Sequence, residues 1–359
     1  MILRRLKASN FRCFAEIDLE FGSGLNLVTG GNGAGKTSLV EAAHLLGYGR
    51  SFRGRVRDGL IRTGASELEL FAEWMDGKGQ GHRAGLRHTG QSWEARMDGA
   101  NVASLTEFCA GLAVVTFEPG SHELIAGSAD QRRRYLDWGL FHVERSFLPV
   151  WRRYGRALKQ RNALLKSRPD ASSLSLWDRE LAEAGKPLHR LRQAYLQGIE
   201  PTLAAAASEY LGELGAFAVD YLAGWRRQDM SLEDALLLNR ERDLALGYTS
   251  VGPHRADWSF RFEGLPGRES LSRGQEKLTA LSCILGQARA FEASQGEWPL
   301  LCLDDLASEL DAAHQQRVLE SVLASGAQVL LTGTEAPAAL PVATNLQMFH
   351  VERQQIRAR

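Results

Sequence analysis

The eight residues GGNGAGKT at 30–37 fit the pattern G-x-x-x-x-G-K-[ST]. Glycines at this spacing let successive backbone N–H groups turn toward one point, where they bind phosphate oxygens. Lys36 then reaches the β- and γ-phosphates of a nucleotide, and the Thr37 hydroxyl is placed for Mg²⁺. A second chemical pair lies far downstream in LLCLDD (300–305). A buried strand there would deliver Asp304 to the metal and leave Asp305 to position or deprotonate an attacking water. No Asn-Lys-x-Asp or Thr-Lys-x-Asp stretch is present to read guanine, so the expected nucleotide is ATP. A third stretch, SLSRGQE (270–276), opens the helical run KLTALSCILGQARAF. The Ser272 hydroxyl and the Gly274 N–H at a helix start can hold an anion without supplying a charge.

These groups need a scaffold, and the surrounding pattern describes one. ILRRLKASNF and AEIDLEF alternate as strands, and GLNLVT runs apolar into the phosphate loop. TSLVEAAHLLGYG follows at helical spacing. SELELFAEW, GHRAGLRH and SWEARMD, parted by short Gly-rich turns, read as an antiparallel meander, and LAVVTF as a strand stopped by Pro119 and Gly120. From about 130 to 245 strand signals nearly vanish. Leu136, Leu140, Val143, Phe147, Trp151, Tyr154 and Leu158 recur every three or four residues, one face of a helix. A break at KSRPDASS precedes a second helical stretch from about 174. After GPHRADWSFRFEG the α/β character returns. PLLCLDD and QVLLTGT are strands flanking the helix DAAHQQRVLESVLASG, with Gly326 as its C-cap. The expected fold is α/β, with one ATPase head made from both ends of the chain: 1–125 carries the phosphate loop and an antiparallel β subdomain, and 249–359 carries the downstream motifs. A short helical arm, 126–248, is inserted between them.

Composition excludes several classes. The 359 residues are 44% apolar and 24% charged, with Lys+Arg and Asp+Glu both at 43. A neutral chain of this make-up is neither disordered nor drawn to polyanions by bulk charge. The four cysteines are scattered without a C-x-x-C pair, which fits reduced thiols. MILRRLKASNFRCF has no continuous apolar stretch, and no run reaches the ~18 residues of a membrane helix. A soluble, cytoplasmic protein with no membrane partner is expected.

The order of the motifs carries a resemblance. LSRGQ is similar to the signature motif of ABC-type ATPases, and SELD (308–311) to the D-loop that follows their magnesium aspartate. ASNFRCF before GGNGAGKTSLVEA resembles the heads of the chromosome-maintenance and DNA-repair branch. GRSFRG (49–54), SADQRRRYLDWGL (128–140), GPHRAD (252–257), LSRGQEK and LDDLASELD together resemble the RecF family, from about residue 1 to 335. The resemblance implies an ABC-type head that binds ATP and Mg²⁺, forms an ATP-dependent homodimer on DNA, and is a slow, DNA-stimulated ATPase. It implies double-stranded DNA and single-/double-strand junctions as ligands, RecO and RecR as partners, and recombinational repair and replication restart as the setting. Arg12 would contact nucleotide phosphate, and Gly30, Gly31, Asn32, Gly33, Ala34, Gly35, Lys36 and Thr37 would cradle it. Ser272, Gly274 and Gln275 would close over ATP held by the partner subunit. Lys36, Asp305 and the trans-acting Ser272 would be catalytic; Thr37 and Asp304 would hold the metal. Two other readings stay open: a subunit of another ABC machine such as a transporter, and a clamp switched by ATP with little hydrolysis. The sequence also departs from related patterns, with FEPGSHELI where ABC sites keep a glutamine, Thr332-Gly333-Thr334 in place of the switch histidine, and Ala256 in GPHRAD.

A DNA surface is expected from local charge. Residues 131–161 contain nine Arg or Lys against Asp137 and Glu144, and RSFRGRVR adds Arg50, Arg53, Arg55 and Arg57. The candidates are Arg50, Arg53, Arg132, Arg133, Arg152, Arg153 and Arg156, with Arg134 the candidate partner of Asp137. No stacking-aromatic pattern stands out, so backbone-dominated binding is expected.

Overall fold

The computed structural model describes residues 1–54, 59–167, 171–267, 270–337, 340 and 345–358. Arg55, Arg57 and part of the expected break at KSRPDASS lie outside the described residues. The chain forms two compact units: Met1–Ser121 with Arg273–Arg359, and His122–Ser272. In chain order the strands are β1 (Ile2–Phe11), β2 (Phe14–Glu20), β3 (Leu25–Gly30), β4 (Leu68–Met75), β5 (Gly81–His88), β6 (Trp93–Met97), β7 (Ala100–Asn101), β8 (Val114–Phe117), β9 (Phe217–Leu222), β10 (Asp257–Phe262), β11 (Leu300–Leu303), β12 (Val329–Gly333), β13 (Leu346–Glu352) and β14 (Gln355–Ala358).

The first unit contains two six-stranded sheets. One runs β2-β1-β4-β5-β6-β7 and is antiparallel throughout, the expected meander extended by the two N-terminal strands. The other runs β14-β13-β3-β12-β11-β8, parallel except for the β13–β14 hairpin. Every residue of β3, β11 and β12 is buried, as in a parallel sheet covered on both faces. β13 and β14 go beyond the sequence reading. Their turn places Arg353 and Gln354 at φ 48° and 64°, a two-residue hairpin without the Asn-Gly signal that usually marks one.

His82 on β5 donates from Nδ1 to Asp98 Oδ2 at 2.9 Å, lies 3.7 Å from Asp76 Oδ2, and stacks on Trp74. The Asp98 contact, with Asp76 behind it, raises its pKa above 6.5. The charged ring thus contributes stability that is fully present below the unfolded value of about 6.5 and lost as pH rises through the folded one. His82→Gln is expected to flatten that part of the melting-temperature profile, by less than ~1 kcal/mol; an unchanged profile would count against the ion pair.

The second unit is built on three helices, Ala129–Val143, Phe147–Lys166 and Ala171–Leu211, with the shorter Leu232–Leu238 and Arg240–Leu246. Its core joins Leu140, Phe147, Tyr154, Leu181, Leu188 and Leu236, three of them outside the periodic stripe. Two strands also belong to this unit, β9 inside the span expected to be helical and β10 beyond it. β9 pairs antiparallel with β10, from Phe217↔Phe262 to Leu222↔Asp257. That pairing takes 249–272, including GPHRAD, into the arm unit, so the division falls at 122 and 272 rather than 126 and 248. The motif's side chains tie the unit together: His254 Nδ1 meets the Tyr154 hydroxyl at 2.7 Å, and Asp257 takes two bonds from Arg132 at 2.7 and 3.0 Å. Arg161, wholly buried, donates to Asp178 at 2.6 Å, Asp243 at 2.7 Å and Thr249 at 2.8 Å. Among the described residues no helix is long and apolar enough to cross a membrane.

Candidate nucleotide-binding site

The parallel register sets the site. β3 pairs with β12 (Thr29↔Gly333), and β12 with β11 (Leu331↔Leu303). The phosphate loop, Thr332 and Asp304 therefore emerge side by side at the carboxyl edge of the sheet, where α/β folds place ligands. Two glycines are dictated by geometry. A Cβ on Gly30 (φ 155°) would stand 2.4 Å from the Val351 carbonyl oxygen, and one on Gly35 (φ 120°) would stand 2.5 Å from Phe14 Cζ. The loop is thus pinned between β13 and the β1–β2 turn. Gly31, Asn32 and Gly33 are exposed, Ala34 is partly buried, and the Ala34 N–H donates to the Gly31 carbonyl at 3.2 Å. Lys36 begins the helix Lys36–Tyr48; its Nζ, nearly buried, donates to the Gly30 and Gly31 carbonyls at 2.7 and 3.0 Å. An ammonium with two donors so fixed can give the third to a phosphate oxygen.

Asp304 is 1% exposed. Its Oδ1 accepts from Thr332 Oγ1 at 2.6 Å and Thr37 Oγ1 at 3.2 Å, while Oδ2 is buried without a hydrogen-bond partner among the described residues. Burial raises its pKa, opposed by the two threonine hydrogen bonds. A desolvated carboxylate with an orphaned oxygen beside a threonine hydroxyl fits Mg²⁺, which takes one or two protein oxygens and completes its shell with water and phosphate. Asp305 has left-handed backbone (φ 51°, ψ 43°), and its N–H donates to Thr332 Oγ1 at 2.9 Å. Thr332 thus orders both aspartates, a role that its place at the end of QVLLTGT did not announce.

Arg12 (φ 53°) donates through Nε and Nη2 to Glu41 at 2.9 and 2.6 Å. Glu41 lies wholly buried on the phosphate-loop helix and also accepts from Ser51 Oγ, with Arg53 at 3.8 Å. Sequence reasoning missed Glu41; its place four residues after Thr37, inside an apolar helix face, was the available signal. Ser272 and Gly274 are exposed, Ser272 directly before the helix Arg273–Gln295 and Gly274 and Gln275 in its first turn. Lys277 bonds Glu309 of SELD at 2.8 Å, fixing that segment to the signature helix.

The basic candidates divide. Arg132 is corrected: at 2% exposure, held by Asp257 and the Gly127 carbonyl, it is part of the arm's interior and offers nothing to DNA. Arg133 is largely covered and bonds the Ala256 carbonyl. Arg153 is exposed but bound to Glu180 and Glu183. Arg50, Arg53, Arg152 and Arg156 are exposed. Asp137 is held by Arg192 at 2.7 Å, and Arg134 bonds Asp130 instead.

A phosphate loop, a buried metal carboxylate and a signature helix on this two-sheet scaffold define an ABC-type ATPase head. The chain belongs to the RecF/RecN/SMC N-terminal domain family, whose model matches residues 2–357. It is 57% identical to "DNA replication and repair protein RecF" of Stenotrophomonas maltophilia (strain R551-3), over 100% of both chains. It is 39% identical to the protein of the same name from Thioalkalivibrio sulfidiphilus (strain HL-EbGR7), covering 99% of each. The fold superposes on the solved structure of the recombination mediator RecF with ATP in the RecFOR pathway, with a TM-score of 0.90 at 26% identity, covering 100% of this chain and 97% of that one. An Smc head solved with the C-terminal winged-helix domain of ScpA shares the fold at a TM-score of 0.60 and 14% identity, over 100% and 97% of the two chains.

Proposed function

We propose that this protein is an ATP-dependent DNA-binding ATPase of replication and recombinational repair. Mg-ATP joins two heads on DNA, and slow, DNA-stimulated hydrolysis lets them part. The observation that carries the reading is the alignment of the phosphate loop, Thr332 and Asp304 at one sheet edge. It is supported by relatives named as replication and repair proteins and by a RecF structure with ATP at 26% identity. Lys36 and the loop N–H groups offset phosphate charge, and Thr37 and Asp304 hold the cation. Mg²⁺ held by Thr37 and Asp304 would offset the charge that builds up on the transferred phosphate. Asp305 orients the attacking water and takes its proton. Ser272 and Gly274 are exposed, and Gln275 partly so, as a surface closing on a partner's nucleotide requires. RecO and RecR are the expected partners.

Asp305→Asn separates binding from turnover. Labelled gapped duplex, followed by fluorescence anisotropy, should bind this variant tightly with Mg-ATP and weakly without it. Ser272→Arg added to it, and Lys36→Met alone, should each abolish the ATP effect. DNA binding indifferent to ATP in the Asp305→Asn protein would overturn the clamp reading. Repair in cells rescued by Asp305→Asn but not Lys36→Met would make ATP chiefly a dimerisation ligand.

A further inference from the structure

The helix Phe147–Lys166 carries six Arg or Lys and no Asp or Glu. Arg161 is spent inside the arm and Arg153 on Glu180 and Glu183. Arg152, Arg156, Lys159 and Lys166 are exposed. At about 100° per residue, Arg152, Lys159 and Lys166 fall within ~40° of one another, with Arg156 alongside. They span roughly 21 Å at 1.5 Å per residue, a strip suited to several successive phosphates. Trp151 stands at its edge and is 45% exposed, unusual for a residue whose area is normally covered. One turn on is Gly155, where an added Cβ would meet nothing within 4 Å among the described residues. The space beside the indole is therefore open, and the carboxylates of Glu180 and Glu183 engage Arg153, on the far flank of the wheel.

A cationic strip alone suits any polyanion. A bare indole beside it, with a smooth approach, suits one whose flat apolar faces are available for stacking. Bases within a duplex are already stacked and cannot reach a side chain on a convex helix; bases of a single strand can. We infer that this helix is a single-strand DNA platform, in which Trp151 stacks on an unpaired base and Arg156 and Lys159 hold the flanking phosphates. The inference rests on the DNA-binding reading above and deepens it, placing the single-stranded side of a gap on the arm.

Two oligonucleotides that differ only in carrying bases or a run of abasic sites test it on the full-length protein. Stacking of one base on an aromatic side chain is worth about fivefold to a hundredfold in affinity, and the native protein should prefer the base-bearing strand by that ratio. Trp151→Ala should remove the preference while keeping affinity for the abasic strand, and Trp151→Phe should restore most of it. Arg156→Gln with Lys159→Gln should weaken both strands alike and reduce the salt slope by about one to two. Equal binding of the two strands by native protein, or a preference that survives Trp151→Ala, would overturn the inference. So would a Trp151→Ala defect confined to self-association or to a protein partner. ATP-dependent binding of gapped duplex that persists without base preference would leave the clamp standing and remove only this platform.

Discussion

Asp304→Asn should cost at least about a hundredfold in Mg-ATP hydrolysis, yet melt higher than the native protein when no nucleotide is added. The two effects share one cause. Asp304 is buried, its Oδ2 lacks a partner among the described residues, and burial raises its pKa, so the ionised form is held in place at a cost to the fold. Asparagine keeps an oxygen for Thr37 and Thr332 to donate to and removes the charge. The gain should be about 1–3 °C. A carboxylate whose folded pKa is raised favours the folded state when protonated, so native stability should recover as pH falls through that value and meet the variant below the unfolded carboxyl value of about 3.9. Calorimetry across pH, with and without Mg-ATP, reads all of this. Native protein should gain about 2.7 kcal/mol at a hundredfold excess of ligand over its dissociation constant, and the variant little. A variant that melts below the native protein at neutral pH would show that the carboxylate is not carrying this cost.

Arg161→Ala should lose about 3–5 kcal/mol of stability, the largest effect expected in the arm. The guanidinium is fully buried between Asp178 and Asp243, which are themselves 4% and 0% exposed. Removing it leaves Asp243 without its cation, leaves Asp178 to Arg240 alone, and takes a donor from Thr249. Thermal melting with limited proteolysis should show the arm opening first. Adding Asp243→Asn should recover part of the loss, because it discharges the group left unpaired. Additive losses in the double variant would refute the coupling.

Both residues show where sequence was informative and where it fell silent. Asp304 was legible because a strand, a turn and a charged pair recur in local order beside a phosphate loop. Arg161 was legible only as charge: a run of cations does not record which are folded inward against acids up to 82 residues away. Arg132 was misread for the same reason, its partner Asp257 lying 125 residues downstream. The antiparallel meander could be read from alternation and Gly-rich turns, whereas β9 was hidden in a helical region and β10 declared itself only through that pairing. The C-terminal hairpin closes through Arg353 and Gln354 in left-handed backbone, a conformation those residue types rarely announce.

β3, which carries the phosphate loop, is flanked on one side by β12 and on the other by β13. Both neighbours come from the last fifth of the chain, with β13 beginning at Leu346 and β3 ending at Gly30. On a ribosome adding 5–20 residues per second, the loop's strand waits roughly 15–60 s for its partners. Through that interval its apolar faces and both hydrogen-bonding edges have no sheet to join, while the arm, contiguous in sequence, can already close on itself. Nucleotide competence therefore cannot precede synthesis of β12 and β13, and until then the nascent phosphate-loop strand is exposed to aggregation and chaperone capture.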